Sequence, residues 1–337
     1  MRASTLLAGA WAVARAVRAP RAVSFENRTV VLSGGSRGLG LLVARRLVGE
    51  GAQVALLART ATDLDAAAAE LGENALPVVC DVRDRAAVEA AVQTVVDHFG
   101  PPSVLLHDAG VISVGPEAHM TEADYAESLD IHFWGAFHLT EAVRPHLPRD
   151  GSARVGYVSS IGGRVAIPHL GPYSVGKHAL VGYADAMRAE LATDGIRVTT
   201  ITPGLMRTGS HPNAQVKGQH EKEYAWFAIG DAAPGLSMDG DRAAGKIVDA
   251  LRHGDAALTL TVAAKLAAAV DGVAPGVVGT AMKAVSALLP GPAGPDGDLR
   301  KTGWESQSAA APSVLTALAD RETEPNNELR GHAPPGP

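Results

Sequence analysis

Tyr173 and Lys177, in the run Tyr-Ser-Val-Gly-Lys, stand at i and i+4. On a helix that spacing puts a phenol and an amine on one face, about one turn apart. A phenol titrates near pH ~10 and is a poor acid or base at neutral pH. An ammonium beside it favours the phenolate, lowers that pKa and makes proton exchange with a hydroxyl or carbonyl feasible. The same pair occurs on many solvated helices, so its meaning depends on the elements that carry it.

Those elements alternate. Residues 28–33, Arg-Thr-Val-Val-Leu-Ser, form a short apolar run of the kind that makes a buried parallel strand. Gly34-Gly35-Ser36-Arg37-Gly38-Leu39-Gly40 follows, and residues 41–48 then carry a helical apolar pattern. Glycines between a strand and a helix permit a tight turn and close backbone approach, and the helix N-terminus faces a pyrophosphate. The spacing is Gly-x-x-x-Gly-x-Gly rather than the commoner Gly-x-Gly-x-x-Gly. Further strands are expected at 53–57, 75–80, 103–107, 153–159 and 196–201, with a seventh at 258–262. Helices are expected at 85–99, at 121–146 entered through Thr121 with Asp124 three residues on, around Tyr173, and at 241–251. The alternation predicts an α/β fold, one doubly wound parallel sheet with helices on both faces and the site at the carboxyl ends of the strands.

The second strand ends at Ala58-Arg59, where an acidic residue would bond the ribose hydroxyls of NAD. Arg59 instead offers a planar fork for a 2′-phosphate, and Arg37 a second positive charge, which favours NADP(H) over NAD(H); the alternative is two solvated surface arginines.

The 337 residues suffice for one large domain with appendages or two modest ones, and with 46% hydrophobic residues a sizeable core can be buried. A net charge of −6 argues against a nucleic-acid surface. The single cysteine, Cys80, excludes an intrachain disulfide framework and suits the cytoplasm, where it reads as a small buried apolar residue. Residues 1–25 hold Arg2, Arg15, Arg18 and Arg21 and no acid. This basic, partly apolar arm fits a packing arm, a membrane-surface contact or a cleaved signal, and its apolar run is too short to span a bilayer. The expected organisation is this arm, a catalytic domain at 26–262 and a partly helical extension at 263–337, with the last ~14 residues disordered by composition.

Over residues 28–262 the chain resembles the short-chain dehydrogenase/reductases. The residues that carry the resemblance are Ser33-Gly34-Gly35-Ser36-Arg37-Gly38-Leu39-Gly40, Asp81-Val82, Asp108-Ala109-Gly110, Ser160, Tyr173-x-x-x-Lys177 and the run from Pro203 and Gly204 to Met206 and Thr208. Ser160 precedes Tyr173 by thirteen residues, the family's spacing, although Ser159 adjoins it. The resemblance implies a Rossmann fold and an NAD(P)-dependent oxidoreductase. Tyr173 would be the general acid or base, Lys177 would lower its pKa and hold the nicotinamide ribose, and Ser160 would orient the substrate carbonyl. Gly34, Ser36, Arg37, Gly38, Leu39 and Gly40 would cradle the phosphates. Asp81 and Val82 would meet the adenine, with Asp108, Ala109 and Gly110 beside it, and Pro203, Gly204, Met206 and Thr208 would line the nicotinamide side. Two departures stand out: His107-Asp108 replaces Asn-Asn, and His132 replaces an asparagine that holds a relay water. His132 either serves that relay or is a satisfied core histidine. No metal is implied.

Residues 208–240, where the family carries its substrate lid, include Tyr224, Trp226, Phe227 and Met238. They read as an apolar cover over a lipophilic carbonyl or alcohol (steroid-like, retinoid-like or fatty), or as ordinary packing. Residues 263–290 would form two short apolar helices that cover the site or touch a bilayer. A homodimer is expected from the family. Competing readings are a reductase of small polar carbonyls, a cofactor-binding protein with little turnover, and a membrane-surface interaction protein.

Overall fold

The computed structural model describes residues 22–329 and residue 332. The basic arm therefore lies, through residue 21, outside the described residues. Phe25, assigned above to that arm, is instead buried in the domain core.

Among the described residues, seven strands form one parallel sheet: β1 Thr29–Ser33, β2 Gln53–Ala58, β3 Ala75–Val79, β4 Val104–His107, β5 Arg154–Val158, β6 Arg197–Thr202 and β7 Ala257–Thr259. Their order is β7-β6-β5-β4-β1-β2-β3, so the winding reverses between β1 and β4. In open α/β sheets the ligand crevice opens at that reversal, outside the carboxyl ends of the strands.

Both faces of the sheet are covered, which is why its strands read as near-continuous apolar runs. Leu32, Leu56 and Leu106 face α1 (Gly38–Gly49) and α8 (Gly240–His253), meeting Leu41, Ile247 and Leu251. Their neighbours Val31, Leu57 and Leu105 point the other way, onto Val92 of α3 (Arg85–Phe99), with α2 (Ala61–Leu71) preceding it in the chain. Each fully buried leucine contributes about 1.5–3 kcal/mol.

The helix expected over 121–146 is present but not uniform. It comprises α4 (Glu122–Leu129), a wide π turn (Asp130–Trp134), α5 (Gly135–Val143) and a tight last turn (Arg144–His146) that holds Pro145. The π turn carries His132, and such turns concentrate at functional sites. Thr121 does cap α4, its N–H donating to Asp124 Oδ2 at 2.8 Å. The seventh strand is shorter than expected because Thr261 Oγ1 accepts from Ala264 N–H at 3.2 Å and starts the next helix.

Helix α6 (Gly171–Glu190) carries Tyr173 and Lys177, and α7 (His220–Ala232) packs Trp226 and Phe227 in one apolar cluster with Tyr173. A hairpin of α9 (Val262–Val273) and α10 (Pro275–Ser286) follows, as expected for 263–290. The chain then returns over the domain. Lys301–Thr302 pairs antiparallel with Gln215–Val216, and Arg300 reaches Asp124 and Glu127. Disorder was expected from Glu324 onward. Residues 324–329 are instead packed on the glycine loop, with Asn326 and Glu328 buried, because polar side chains satisfied by hydrogen bonds replace an apolar core there.

Asp124, 2% exposed, accepts from Lys217 Nζ at 2.6 Å and Arg300 Nη2 at 2.7 Å. Burial opposes its ionisation, but the hydrogen bonds from Lys217, Thr121 and Arg300 prevail and hold the carboxyl well below the usual range. Asp124→Asn is expected to cost about 3–5 kcal/mol in denaturant unfolding at pH 7, because Lys217 is left buried without its countercharge. The carboxylate's contribution is full above its unfolded pKa of about 4 and is lost as pH falls through the depressed folded value, so the mutant's deficit should shrink in acid.

Candidate active site

The glycine loop follows β1 directly. Gly34 and Gly38 have φ of +75° and +53°, and a Cβ on Gly40 would lie 2.1 Å from the Gly34 carbonyl oxygen. A Cβ on Gly34 would come within 2.8 Å of the Ala109 nitrogen. The turn, and the approach of the loop to the end of β4, therefore require glycine. One cleft runs from this loop to α6. Gly34, Ser36, Arg37, Gly38 and Leu39 line it, with Arg59, Asp81 and Val82 at one end. Asp108, Ala109, Gly110, His132, Ser160, Tyr173, Lys177, Pro203, Gly204, Met206 and Thr208 line the remainder. Gly40 does not reach it and acts through the side chain it lacks.

Near Tyr173 the two serines separate. Ser159 is buried and its Oγ donates to the Lys177 carbonyl oxygen at 2.9 Å, fixing α6 to the end of β5. Ser160 caps a tight turn, its Oγ accepting from Gly162 N–H at 3.0 Å, and its hydroxyl also meets Tyr173. Burial pushes the Tyr173 phenol up to about 12, with the Ser160 contact pulling the other way. Burial is the largest influence, so the phenol lies above its ordinary value with Lys177 nearby. Lys177 Nζ donates to the Val158 carbonyl at 2.9 Å and sits 5.7 Å from the Tyr173 ring centroid, over the face of the ring.

Lys177 is itself 5% exposed, and burial lowers its pKa while Asp108 raises it. Burial likewise raises Asp108, against the pull of Lys177. The two histidines here stay neutral. Burial and then Lys177 push His107 down to about 3, and its Nδ1 lies 2.9 Å from Ser33 Oγ. His132 is held well below its ordinary value by burial, then by Lys177 and His107. Its Nε2 accepts from Val111 N–H at 3.3 Å, which leaves the ring proton on Nδ1. Nδ1–H then donates to Ser128 Oγ at 3.1 Å, and that hydroxyl donates to the Pro172 carbonyl at 2.6 Å. Both ring nitrogens are taken by protein groups.

At the far end Arg59 is exposed, and β2 runs into Ala58-Arg59-Thr60. Arg37 is not free: it pairs with Glu328 at 2.8 Å. Asp81 takes Arg83 Nη2 at 2.5 Å, so its carboxylate is already countered. Of the four lid side chains, Trp226 and Phe227 join Ile112, Ile167 and Leu170 against Tyr173. Tyr224 stacks on His211 and is buried in a separate cluster, and Met238 pairs with Met206 on the opposite side. Sequence reasoning missed Arg83, Asp231 and Glu328. Arg83 was legible two residues after Asp81. Asp231, whose charge raises the Tyr173 pKa, and Glu328 gave no local signal.

A family model described as short chain dehydrogenase matches residues 28–217. A putative ketoacyl reductase of Streptomyces coelicolor is 32% identical over 188 residues, 54% of this chain and 72% of that protein. The ketoacyl reductase HetN of a Nostoc species is 32% identical over 197 residues, 57% of this chain and 69% of that one. Among solved structures, a dehydrogenase/reductase from Sinorhizobium meliloti superposes with a TM-score of 0.63 at 29% identity, covering 72% of this chain and 97% of that one. An L-sorbose reductase from Gluconobacter frateurii, solved with NADPH and L-sorbose, has a TM-score of 0.63 at 23% identity, covers 71% and 97%, and shares the fold.

Because the Asp108 carboxylate favours the charged amine, Asp108→Asn should make Lys177 lose its proton at lower pH than in the wild type. An NMR titration of isotopically labelled lysines would read this; an unmoved Lys177 resonance would deny the coupling.

Proposed function

Since the chain belongs to the short-chain dehydrogenase/reductase family and is an oxidoreductase, we propose that it interconverts a hydroxyl and a carbonyl on an apolar substrate, preferring NADP(H) to NAD(H). The observation that carries the substrate class is the apolar cluster of Ile112, Ile167, Leu170, Trp226 and Phe227 that packs with Tyr173 and reaches the cleft at Ile112. Relatives named as ketoacyl reductases support an acyl-chain carbonyl as its form. Arg59, exposed in the cleft where an acidic residue would serve NAD, supports the 2′-phosphate.

The cleft fits a dinucleotide: Gly34 and Gly38 line it at the amino end of α1, and their positive φ together with the close packing of Gly34 and Gly40 shapes a loop that brings backbone amides to the cleft. The nicotinamide cofactor supplies the hydride. Tyr173, protonated at neutral pH, would donate a proton to the substrate oxygen in carbonyl reduction and take it back in alcohol oxidation. Ser160 hydrogen-bonds the same oxygen and orients it. Lys177, held by the Val158 carbonyl, would supply positive charge as the phenol gives up its proton and would hold the nicotinamide ribose.

His132 stands as a positioning residue. With both nitrogens engaged it ties the π turn to α6 through Ser128 and Pro172. This same observation favours a second reading, a cofactor-binding protein with little turnover. The hairpin α9–α10 exposes Val262, Leu266, Val273 and Val277, which supports a peripheral membrane contact for a cytoplasmic homodimer. No helix among the described residues is long and apolar enough to cross a membrane.

The test is consumption of NADPH, with NADH in parallel, over a panel of long-chain, polycyclic and small polar carbonyls. NADPH-selective turnover of the apolar compounds is expected. Turnover of the polar ones alone would refute the apolar assignment, and tight binding without turnover would favour the second reading. Tyr173→Phe should lower turnover about 10²–10⁴-fold with NADPH affinity nearly unchanged. Arg59→Asp should move preference toward NADH; unchanged preference would make Arg59 a surface charge only.

A further inference from the structure

The electropositive end of the glycine loop already holds an anion, and it comes from the chain's own C-terminal segment. Arg37 Nη1 donates to Glu328 Oε2 at 2.8 Å, and Asn213 Nδ2 donates to the same oxygen at 2.6 Å. The other carboxylate oxygen lies over the amino end of α1, so close that a Cβ on Gly38 would be 2.5 Å from it. The Glu328 side chain is 3% exposed and yet lines the cleft. The two residues before this carboxylate anchor the segment. Gly38 N–H donates to the Asn326 carbonyl at 2.9 Å, and Asn327 Nδ2 donates to the carbonyls of Ser36 at 2.9 Å and Asp63 at 3.0 Å.

The groups that a dinucleotide's phosphates require at this end are an arginine fork and the backbone amides and dipole of a helix N-terminus. Here a carboxylate takes the fork and faces the dipole. We infer that Glu328 is a determinant of cofactor affinity, an internal counter-anion that competes with the phosphate groups of the dinucleotide for Arg37 and for the amino end of α1. The inference rests on the dinucleotide reading of the cleft. Its chemistry is exchange of one anion for another, with no bond made or broken. Phosphates arriving beside an unmoved Glu328 would meet a like charge in a partly desolvated site, so binding moves the carboxylate or is weakened by it.

Glu328→Gln keeps the shape and a hydrogen-bonding carbonyl and removes only the charge. Isothermal titration of the full chain with NADPH and with NADH is expected to show binding about tenfold tighter in Glu328→Gln, the scale of one charge-assisted contact. A gain for both dinucleotides puts the competition at the pyrophosphate, and a gain for NADPH alone puts it at the 2′-phosphate; either supports the inference. Unchanged or weaker binding in a variant that melts like the wild type overturns it, since Glu328 would then complete the site. A second measurement needs no mutation: hydrogen exchange of residues 323–328 in the wild type should rise on adding NADPH, and unchanged or greater protection counts against competition. If wild type and variant alike bind neither dinucleotide, the reading of the cleft fails and the inference with it. NADPH binding that the substitution leaves unchanged overturns the inference alone.

Discussion

The amine of Lys177 is enclosed in the protein, and much of the site's arrangement follows from keeping it there. A buried ammonium needs an acceptor and a countercharge, or it loses its proton. The Val158 carbonyl at the end of β5 is the acceptor, and Asp108 at the end of β4 provides the charge. Both come from the carboxyl edge of the sheet, so α6 must lie across that edge in one register, which the Ser159 hydroxyl fixes by bonding the Lys177 carbonyl. His107 and His132 share the enclosure and must be neutral, since a second positive charge beside the lysine would not be tolerated. The π turn places His132 with both nitrogens satisfied, and Ser128 carries that placement on to Pro172 in α6.

The surroundings of the Tyr173 ring obey a different constraint. Tyr173 has its polar end toward Ser160 and its ring against an apolar wall drawn from the loop after β4, the turn before α6, and α7. Little of that wall belongs to the parallel sheet. The chain's return after α10 braces it, through Lys301–Thr302 pairing beside Gln215–Val216 and Arg300 reaching back to α4. The extension is thus part of the site's support.

Charge at the two ends of the cleft is distributed unequally. Near Tyr173 the amine of Lys177 is deeply buried and shares its surroundings with Asp108. At the other end Arg37 of the glycine loop pairs with Glu328, Arg83 pairs with Asp81 after β3, and Arg59 is exposed. A dinucleotide therefore meets a loop whose backbone is shaped for phosphate but whose nearest guanidinium is already engaged.

By itself, the sequence determined whatever depends on local spacing. Strand, glycine turn and helix at 29–49, the i, i+4 pair on α6 and the serine thirteen residues upstream are short-range patterns, and chain connectivity then leaves few ways to wind the sheet. Almost every residue expected at the site lines one cleft for that reason. Tertiary structure alone decided the protonation behaviour of Tyr173 and Lys177, because burial and the direction of an amine are set by neighbours far along the chain. It likewise decided the tautomer of His132, which of the lid aromatics face Tyr173, and the fate of the C-terminal segment. Residues 324–329 are polar enough to read as disordered, and they are ordered by partners nearly three hundred residues earlier. No local pattern records such a contact, since its free energy comes from hydrogen bonds that exist only once both segments are in place.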